Sequence, residues 1–359
     1  MRFIKVQDFA LNIEESIKST TIASSNELVM LTSSGTVTRY NISEQTWEPL
    51  FSVKSSMSYS DGGFDIEAPS TIYTLDSIVV IVNDYKRHGY VHYPGKYGPL
   101  HLWREDYHAN ISCYPIALFK NEADVPHLIY GEAWNHVQIM NLDTRQILTA
   151  AKSLIEENAE ETYLEYREKY ESYDDSPWPT PYDYFFGKLA MAPDQKHFLS
   201  AGWVWGSYDA YAVYDVNHFI HSNRISEKAL GGWDHCERGA CWIDNVTVVV
   251  AYDPHAEGEE GATKDSPQEI HFYNITYKES VLERKIKIRG IDLVNAQLYF
   301  NKDIQALIAC TNQGGVVVLS LEGEKLLQDQ TMTQVAYYPN LNLFLKVENQ
   351  SITIYQIGR

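Results

Sequence analysis

Histidines, carboxylates and cysteines gather in two segments where acid–base chemistry could occur. The segment 88–108 contains four histidines beside acidic and basic residues, and the segment 231–242 contains an Asp-His pair beside two cysteines. Such side chains transfer protons or bind metals in many active sites. The candidate catalytic groups are His108, Asp234 and His235. The other histidines fall on different strands of one predicted hairpin, and the cysteines lack the spacing of a structural zinc knuckle, so we expect no metal site and no cofactor.

Motifs of nucleophilic and nucleotide chemistry are absent from the sequence. It contains no Gly-x-Ser-x-Gly elbow and no Gly-rich phosphate loop ending in Lys and Ser or Thr, and its Gly-Gly pairs lie in predicted turns. The 48 acidic residues offer so many carboxylate pairs that a glycosidase pair cannot be recognised among them. We therefore expect a non-catalytic protein.

Aromatic residues suggest a binding surface instead. The segment MAPDQKHFLSAGWVWGSYDAYAVYDV (191–216) places Trp203 and Trp205 between two glycines. Indoles either pack against neighbouring sheets or form binding hot spots. The glycines favour the surface role, because glycine lets another backbone approach closely. The predicted binding residues are Trp203, Trp205, Tyr208, Trp134, Asn135, His88, Tyr107 and Trp233.

The chain is acidic and has no long apolar segment. Its formal net charge of −19 argues against non-specific binding of nucleic acid or anionic membranes, which needs basic residues, and favours a basic partner. Acidic residues interrupt the N-terminal segment before an apolar stretch of signal-peptide length, and no apolar run reaches about 18 residues. The four cysteines are few and scattered. We expect a cytoplasmic monomer with free thiols.

Short strands with alternating apolar and polar residues occur along the whole chain, separated by Asp, Asn, Gly and Pro. A shorter strand precedes each predicted hairpin and a fourth strand follows most of them, which gives about 51 residues per unit over 359 residues. The sequence therefore predicts an all-β fold, a seven-bladed β-propeller of four-stranded blades that forms a single domain over 1–359. The predicted hairpins lie at 27–42, 76–95, 126–142, 196–216, 245–276, 304–321 and 342–357.

The two ends of the chain predict how the ring closes. The last unit stops after its third strand, and RFIKVQDF (2–9) is an isolated strand before the first unit. Pairing these strands would remove two exposed edges.

Two insertions interrupt the blades. Residues 152–184, between blades three and four, predict a helix followed by a proline-rich extended arm, and residues 253–269 form an acidic loop in blade five.

Several segments resemble WD-repeat propellers. The stretch MAPDQKHFLSAG (191–202) resembles their first-to-second-strand segment, and NLDTRQIL (141–148) is similar to their third-to-fourth-strand turn. Together with YHANISCYPIALF (107–119), GEAWNHVQIMNLDTRQIL (131–148) and LAMAPDQKHFLSAGWVWG (189–206), they are similar to a bacterial set of WD-repeat-like proteins without an assigned activity. The Trp-Asp dipeptides that end the third strands are missing. The resemblance implies the propeller fold and supplies no catalytic residues.

In such a propeller, the second-to-third-strand loops and the connections between blades emerge at the same end of every blade. The candidate binding residues fall in or next to these loops and connections. We therefore expect an aromatic-rich rim over blades two to five that binds an unknown protein or peptide. The alternative is an enzyme, or a glycan- or small-molecule-binding module, that uses the same face with His108, Asp234 and His235 as its polar groups.

Overall fold

Seven four-stranded antiparallel sheets, arranged as blades in a ring, make up the structure. This arrangement confirms the predicted all-β propeller. Most of the first strands contact the first strands of neighbouring blades around the central axis. The computed structural model describes residues 1–11, 13–54, 59–149, 155–169, 182–222, 224–232, 238–253, 267–293, 295–311, 314–348 and 350–358.

The blades follow one another in chain order, and the strand β1 (Arg2–Ala10) precedes blade one. Blade one consists of β2 (Ile17–Ser24), β3 (Glu27–Thr32), β4 (Thr36–Asn41) and β5 (Thr46–Ser52). Blade two consists of β6 (Ser70–Leu75), β7 (Ile78–Asn83), β8 (His88–Tyr93) and β9 (Tyr97–Trp103). Blade three consists of β10 (Ile116–Lys120), β11 (Pro126–Ala133), β12 (His136–Asn141) and β13 (Gln146–Ile147). The segment before blade four contains β14 (Ile155–Glu156) and α1 (Ala159–Lys169).

The second half of the ring has the same plan. Blade four is β15 (Phe185–Met191), β16 (His197–Val204), β17 (Tyr208–Asp215) and β19 (Glu227–Ala229), with α2 (Val216–His221) and β18 (Arg224–Ile225) before its last strand. Blade five consists of β20 (Ala240–Trp242), β21 (Thr247–Tyr252), β22 (Gln268–Asn274) and β23 (Val281–Ile288). Blade six consists of β24 (Gln297–Asn301), β25 (Ala306–Thr311), β26 (Gly315–Ser320) and β27 (Lys325–Asp329). Blade seven consists of β28 (Val335–Tyr338), β29 (Leu343–Glu348), β30 (Ser351–Gly358) and β1.

Buried apolar residues hold each blade against the next one. The second and third strands are rich in β-branched residues; β7, for example, has the sequence IVVIVN and is buried throughout. Seven hydrophobic clusters lie among the described residues, one at each junction between blades. At the junction of blades one and two, Phe51 and Val53 pack with Ile72 and Tyr90. Each blade therefore depends on both of its neighbours.

The N-terminal strand completes blade seven, as predicted. β1 pairs antiparallel with β30 along its length. Phe3 places its ring edge-on to Phe344 with 5.4 Å between ring centroids, and Phe9 stacks on Tyr40 of blade one at 5.8 Å. The strand belongs to blade seven and also contacts blade one, so it closes the ring.

The segment between blades three and four is partly helical. α1 lies inside the predicted insertion, and β14 pairs in parallel with β18. Most of the predicted extended arm, and residues 254–266 of the acidic loop, lie outside the described residues. The short helix α2 is not expected from the sequence, because six residues are too few to show a helical period. Asp215 caps this helix by accepting a hydrogen bond from the His218 backbone N–H at 2.7 Å.

Among the cysteines that the structure describes, Cys241 and Cys310 are free thiols. Burial raises the pKa of the Cys310 thiol to about 12, so this thiol stays protonated at neutral pH. In the part of the chain that the structure describes, no helix is both long and apolar enough to span a membrane.

Removing residues 2–10 should open the ring and destabilise the protein. Truncating one fully buried phenylalanine costs about 3–5 kcal/mol, so losing the half-buried Phe3 and Phe9 with their strand should lower the free energy of unfolding by at least about 4 kcal/mol. Urea denaturation measures this change. The control is Val6→Ala, at a 48% exposed position of the same strand, which should cost less than about 0.5 kcal/mol. A shortened chain as stable as the full one would contradict closure by β1.

Candidate functional site

The described members of the predicted binding set lie at one end of blades two to four. In each blade the second-to-third-strand loop and the connection to the next blade leave the sheet at the same end, here called the upper end. Trp134 and Asn135 form the loop between β11 and β12, Trp205 lies between β16 and β17, and Tyr107 lies between blades two and three. Three predicted residues near blade five lie outside the described residues: Trp233, Asp234 and His235.

Six aromatic rings from separate segments meet at the upper ends of blades three and four. Phe185, the first residue of β15, is central: its ring stacks on Trp203 with 3.7 Å between centroids, and the ring of Trp134 lies 4.4 Å away. Tyr107 contacts Trp205 at 6.2 Å. Because the rings touch one another, they form a solid surface rather than a pocket. We call this set the aromatic platform: Tyr107, His108, Trp134, Phe185, Trp203 and Trp205.

The two indoles of the segment 191–216 have different environments. Trp203 is half-buried, and besides its stacking on Phe185 its Nε1 donates a hydrogen bond to Oγ of Ser112 at 2.9 Å. Trp205 is 48% exposed and meets Phe185 edge to face, with 5.2 Å between centroids. Trp203 therefore fastens blade four to the connection between blades two and three, while Trp205 presents its ring to solvent.

The glycines beside these indoles are explained by packing inside blade four. A Cβ atom on Gly202 would lie 2.6 Å from the hydroxyl oxygen of Tyr184, and one on Gly206 would lie 2.6 Å from the ring of Tyr208. Gly206 also has a φ of +95°, which residues with a side chain rarely adopt. Close approach of the protein's own backbone and side chains thus accounts for both glycines, without the approach of a partner backbone that was expected from the sequence.

A buried arginine organises the connection between blades two and three. The Arg104 side chain donates hydrogen bonds to four backbone carbonyl oxygens at 2.8–3.3 Å. Its guanidinium carbon lies 4.6 Å from the ring centroid of the fully buried Tyr114. The connection that carries Tyr107 and His108 is therefore built around this one side chain. The four carbonyls belong to Asp84, Lys86, Ala109 and Ser112.

His108 lies in the middle of the aromatic platform. Its ring contacts Phe185 and both indoles edge to face, with 5.4–5.6 Å between centroids. Its φ of +53° is in the left-handed region, which costs a residue with a side chain about 1–2 kcal/mol. Among the described residues no carboxylate accepts a hydrogen bond from this ring, and the contacts that His108 makes there are those of an aromatic surface.

His88 belongs to a chain of hydrogen bonds inside the upper end of blade two. It is 2% exposed, and its Nε2 lies 2.9 Å from both carboxylate oxygens of Asp61. Its Nδ1 lies 2.8 Å from Nε2 of His101, whose Nδ1 lies 3.4 Å from the Tyr59 hydroxyl. Arg87 also pairs with Asp61, at 3.2 Å. The chain fastens the connection between blades one and two to blade two.

Asn135 and Tyr208, two further residues of the predicted binding set, contact the protein interior beside the aromatic platform. Asn135 is buried, and its Nδ2 donates a hydrogen bond to the carbonyl oxygen of Tyr182 at 3.0 Å. Tyr208 is half-buried and packs against the hydrophobic cluster between blades three and four. The exposed rings of the platform are those of Tyr107 and Trp205.

Four residues that build this region are not recognised from the sequence as members of the binding surface. Phe185 starts a strand in a Phe-Phe pair, a pattern shared by ordinary core strands. Arg104 is one charge among several in the segment 88–108, and its role depends on carbonyl groups that local sequence does not reveal. Ser112 is 91 residues from Trp203, the residue it binds, and Asp61 is 27 residues from His88.

Among the residues that the structure describes, the aromatic platform coincides with neither a group of metal-binding side chains nor one of the two cavities described below. Within the described ranges, no group of three or more His, Cys, Asp and Glu side chains is placed to hold a metal ion. Two cavities, of about 600 Å³ between blades four and five and about 770 Å³ between blades seven and one, open elsewhere in the ring. Neither cavity is lined by a residue of the aromatic platform.

No protein-family model and no curated protein sequence matches the chain. The propeller implied by the resemblance to WD-repeat proteins is confirmed by the fold. Kinship with those proteins, or with the bacterial set, stays an expectation. The candidate site is therefore defined by geometry alone.

Replacing Arg104 by methionine should loosen the connection that carries Tyr107. The four carbonyl oxygens would lose their buried donor, and one unsatisfied buried polar group costs about 1–3 kcal/mol, so the free energy of unfolding should fall by about 3 kcal/mol or more. Acrylamide should also quench tryptophan fluorescence more strongly, because Ser112 would no longer hold Trp203. The control is the exposed Arg289→Met, expected within about 0.5 kcal/mol of the parent protein. Equal urea stability of the two variants would contradict this role.

Acidification should destabilise the folded protein. Burial disfavours the charged ring, so the pKa of each of six histidines lies below its ordinary value of 6.5. The unfolded chain binds these protons near pH 6.5 and the folded chain only at lower pH. Their contribution to stability is therefore fully present above pH 6.5 and is lost as the pH falls below it. The six are His92, His101, His127, His136, His197 and His271.

Urea denaturation midpoints measured at several pH values between 7.5 and 5.5 test this expectation. The midpoint should begin to fall at a pH of about 6.5. His101→Gln should flatten the fall, because glutamine does not titrate. Lys325→Gln is the control, since lysine keeps its charge throughout this range. A midpoint independent of pH in the parent protein would show that these rings do not govern its acid stability.

Proposed function

We propose that the protein is a non-catalytic binding module whose upper end, over blades two to four, takes up a protein or peptide. The observation that carries the proposal is the exposure of large apolar side chains at this end. Four such side chains are each 45–53% exposed: Trp103 at the end of blade two, Tyr107 and Ile111 in the connection between blades two and three, and Trp205 in blade four. Clustered exposed aromatic residues are typical of binding hot spots. With a net charge of −19, the module would work as a cytoplasmic monomer on a basic partner.

Support for this function also comes from how firmly the exposed rings are held. Trp205 and Tyr107 rest on Phe185 and Trp134, which are fixed by stacking, and the turn around His108 is fixed by carbonyl bonds to Arg104. A ring that is already ordered loses little entropy when a partner binds. Such rigidity suits an anchor residue of an interface.

The shape of the aromatic platform favours a polypeptide over a small ligand. Small-molecule sites are concave, whereas the rings of the platform contact one another and leave no cleft between them. The alternative of an enzyme or glycan-binding module has no supporting observation among the described residues. His108 lacks a carboxylate partner there, and Asp234 and His235 lie outside them.

Panning a display library of random linear peptides against the purified protein tests the proposal. Peptides that bind the platform should lose at least about tenfold in affinity with Trp205→Ala or Tyr107→Ala, because a hot-spot truncation costs about 2 kcal/mol or more and a tenfold change corresponds to about 1.4 kcal/mol. Isothermal titration calorimetry measures the change. Both side chains are exposed, so both variants should fold.

The matched control is Tyr277→Ala, an aromatic residue that is 59% exposed at the turn between β22 and β23 in blade five. It should leave every selected peptide unaffected. If the library yields no binders, or yields binders that tolerate both platform variants, the upper end of blades two to four is not the binding surface.

A further inference from the structure

The margin of the aromatic platform is acidic. Glu105 and Asp106 directly precede Tyr107, and Asp183 lies just before β15; all three are exposed, and we call them the acidic margin. Burial raises the pKa of the Asp183 carboxyl, and the backbone N–H of Trp205 lies close enough to lower that pKa in part. The exposed rings and these carboxylates thus occupy one surface.

The cations nearest in sequence are already engaged. Arg104 donates to backbone carbonyls, Arg87 pairs with Asp61, and Lys86 pairs with Asp65. Among the described residues, no lysine or arginine lies within ion-pair distance of the acidic margin. These carboxylates therefore have no counter-ion from the part of the chain that the structure describes.

Like charges extend the acidic surface towards the outer edge of blade four. Although Asp183 is exposed as a whole residue, desolvation by the atoms around its carboxyl raises its pKa. Burial also raises the pKa of Glu156, and the nearby carboxylates of Glu227 and Asp183 raise it further. These groups would be stabilised by a cation from outside the chain.

Blade two, on the other side of blade three, shows what such a cation does. At the upper end of blade two the guanidinium of Arg87 lies 4.6 Å from the ring centroid of the exposed Trp103 and 3.2 Å from the Asp61 carboxylate. At the upper end of blade four, Asp183 and Trp205 likewise bring a carboxylate and an exposed indole to one surface, and no cation–π or ion-pair contact of the described residues involves them. A guanidinium group from a partner would complete the same set of groups.

We propose that the aromatic platform binds an arginine side chain of a basic peptide segment, with its guanidinium against the rings of Trp205 and Tyr107 and with Asp183 and Asp106 as counter-ions. The inference rests on the proposed function and names its partner class. Arginine fits better than lysine because its guanidinium is planar, weakly hydrated and able to stack on a ring while donating hydrogen bonds to carboxylates.

A pair of short peptides separates charge from shape. One is Ac-Gly-Ser-Arg-Ser-Gly-amide, and the other has citrulline, the neutral isostere of arginine, at its centre. Titration of each peptide is followed by NMR at the indole N–H of Trp205, assigned from its loss in Trp205→Ala. The arginine peptide should give a saturable shift, and the citrulline peptide at least about tenfold weaker binding, as expected when a desolvated cation–π and ion-pair contact is removed.

A second experiment removes the negative charges of the acidic margin one at a time. Asp183→Asn and Asp106→Asn should each weaken the arginine peptide by about threefold or more, whereas Glu322→Gln, an exposed carboxylate in blade six, should not. Equal binding of the two peptides, no binding of either, or indifference to both Asp variants would overturn the arginine assignment. If library peptides without a cation still depended on Trp205, the proposed function would stand and only this inference would fall. If no peptide of either kind depended on Trp205, both would fall.

Discussion

Closure of the ring is the constraint on which the whole molecule depends. Each blade is apolar on the two faces that meet its neighbours, and a buried cluster fills every junction, so an open arc would leave two apolar faces in water. The chain solves this with its first strand, which supplies the outer strand of blade seven and contacts blade one through Phe9. The loops at the upper end keep their positions only because this ring is complete.

The aromatic platform depends in turn on Arg104. A buried guanidinium would usually be paired with a carboxylate, but here four backbone carbonyls take its hydrogen bonds. Two of these carbonyls lie in the β7–β8 loop of blade two and the other two lie in the connection between blades two and three, so the side chain ties the connection to blade two. From there Ser112 reaches Trp203 of blade four. One cation thus couples the surface of three blades.

The fold could be predicted from sequence because its determinants are local. Alternating strands, turn residues and the unpaired strand at 2–9 are visible without knowing any contact. Loop position also predicts which residues reach the upper end. The exposure of each residue there is not predictable in the same way: it depends on Phe185 and Ser112 for Trp203, and on Asp61 for His88, partners that are distant in the chain. The candidates named from loop position therefore include both exposed residues and residues that support them.

The two indoles of the blade-four hairpin illustrate why both kinds of residue occur together. An exposed tryptophan on a mobile loop would lose conformational entropy on binding and would expose apolar area without a fixed shape. Trp203 prevents this, because its stacking on Phe185 and its bond to Ser112 hold the end of the hairpin. Gly206 then turns the chain and leaves room for Tyr208, so that Trp205 projects from a rigid base. A pair of tryptophans two residues apart is thus explained by a division of roles, in which one indole fixes the loop and the other is presented to solvent.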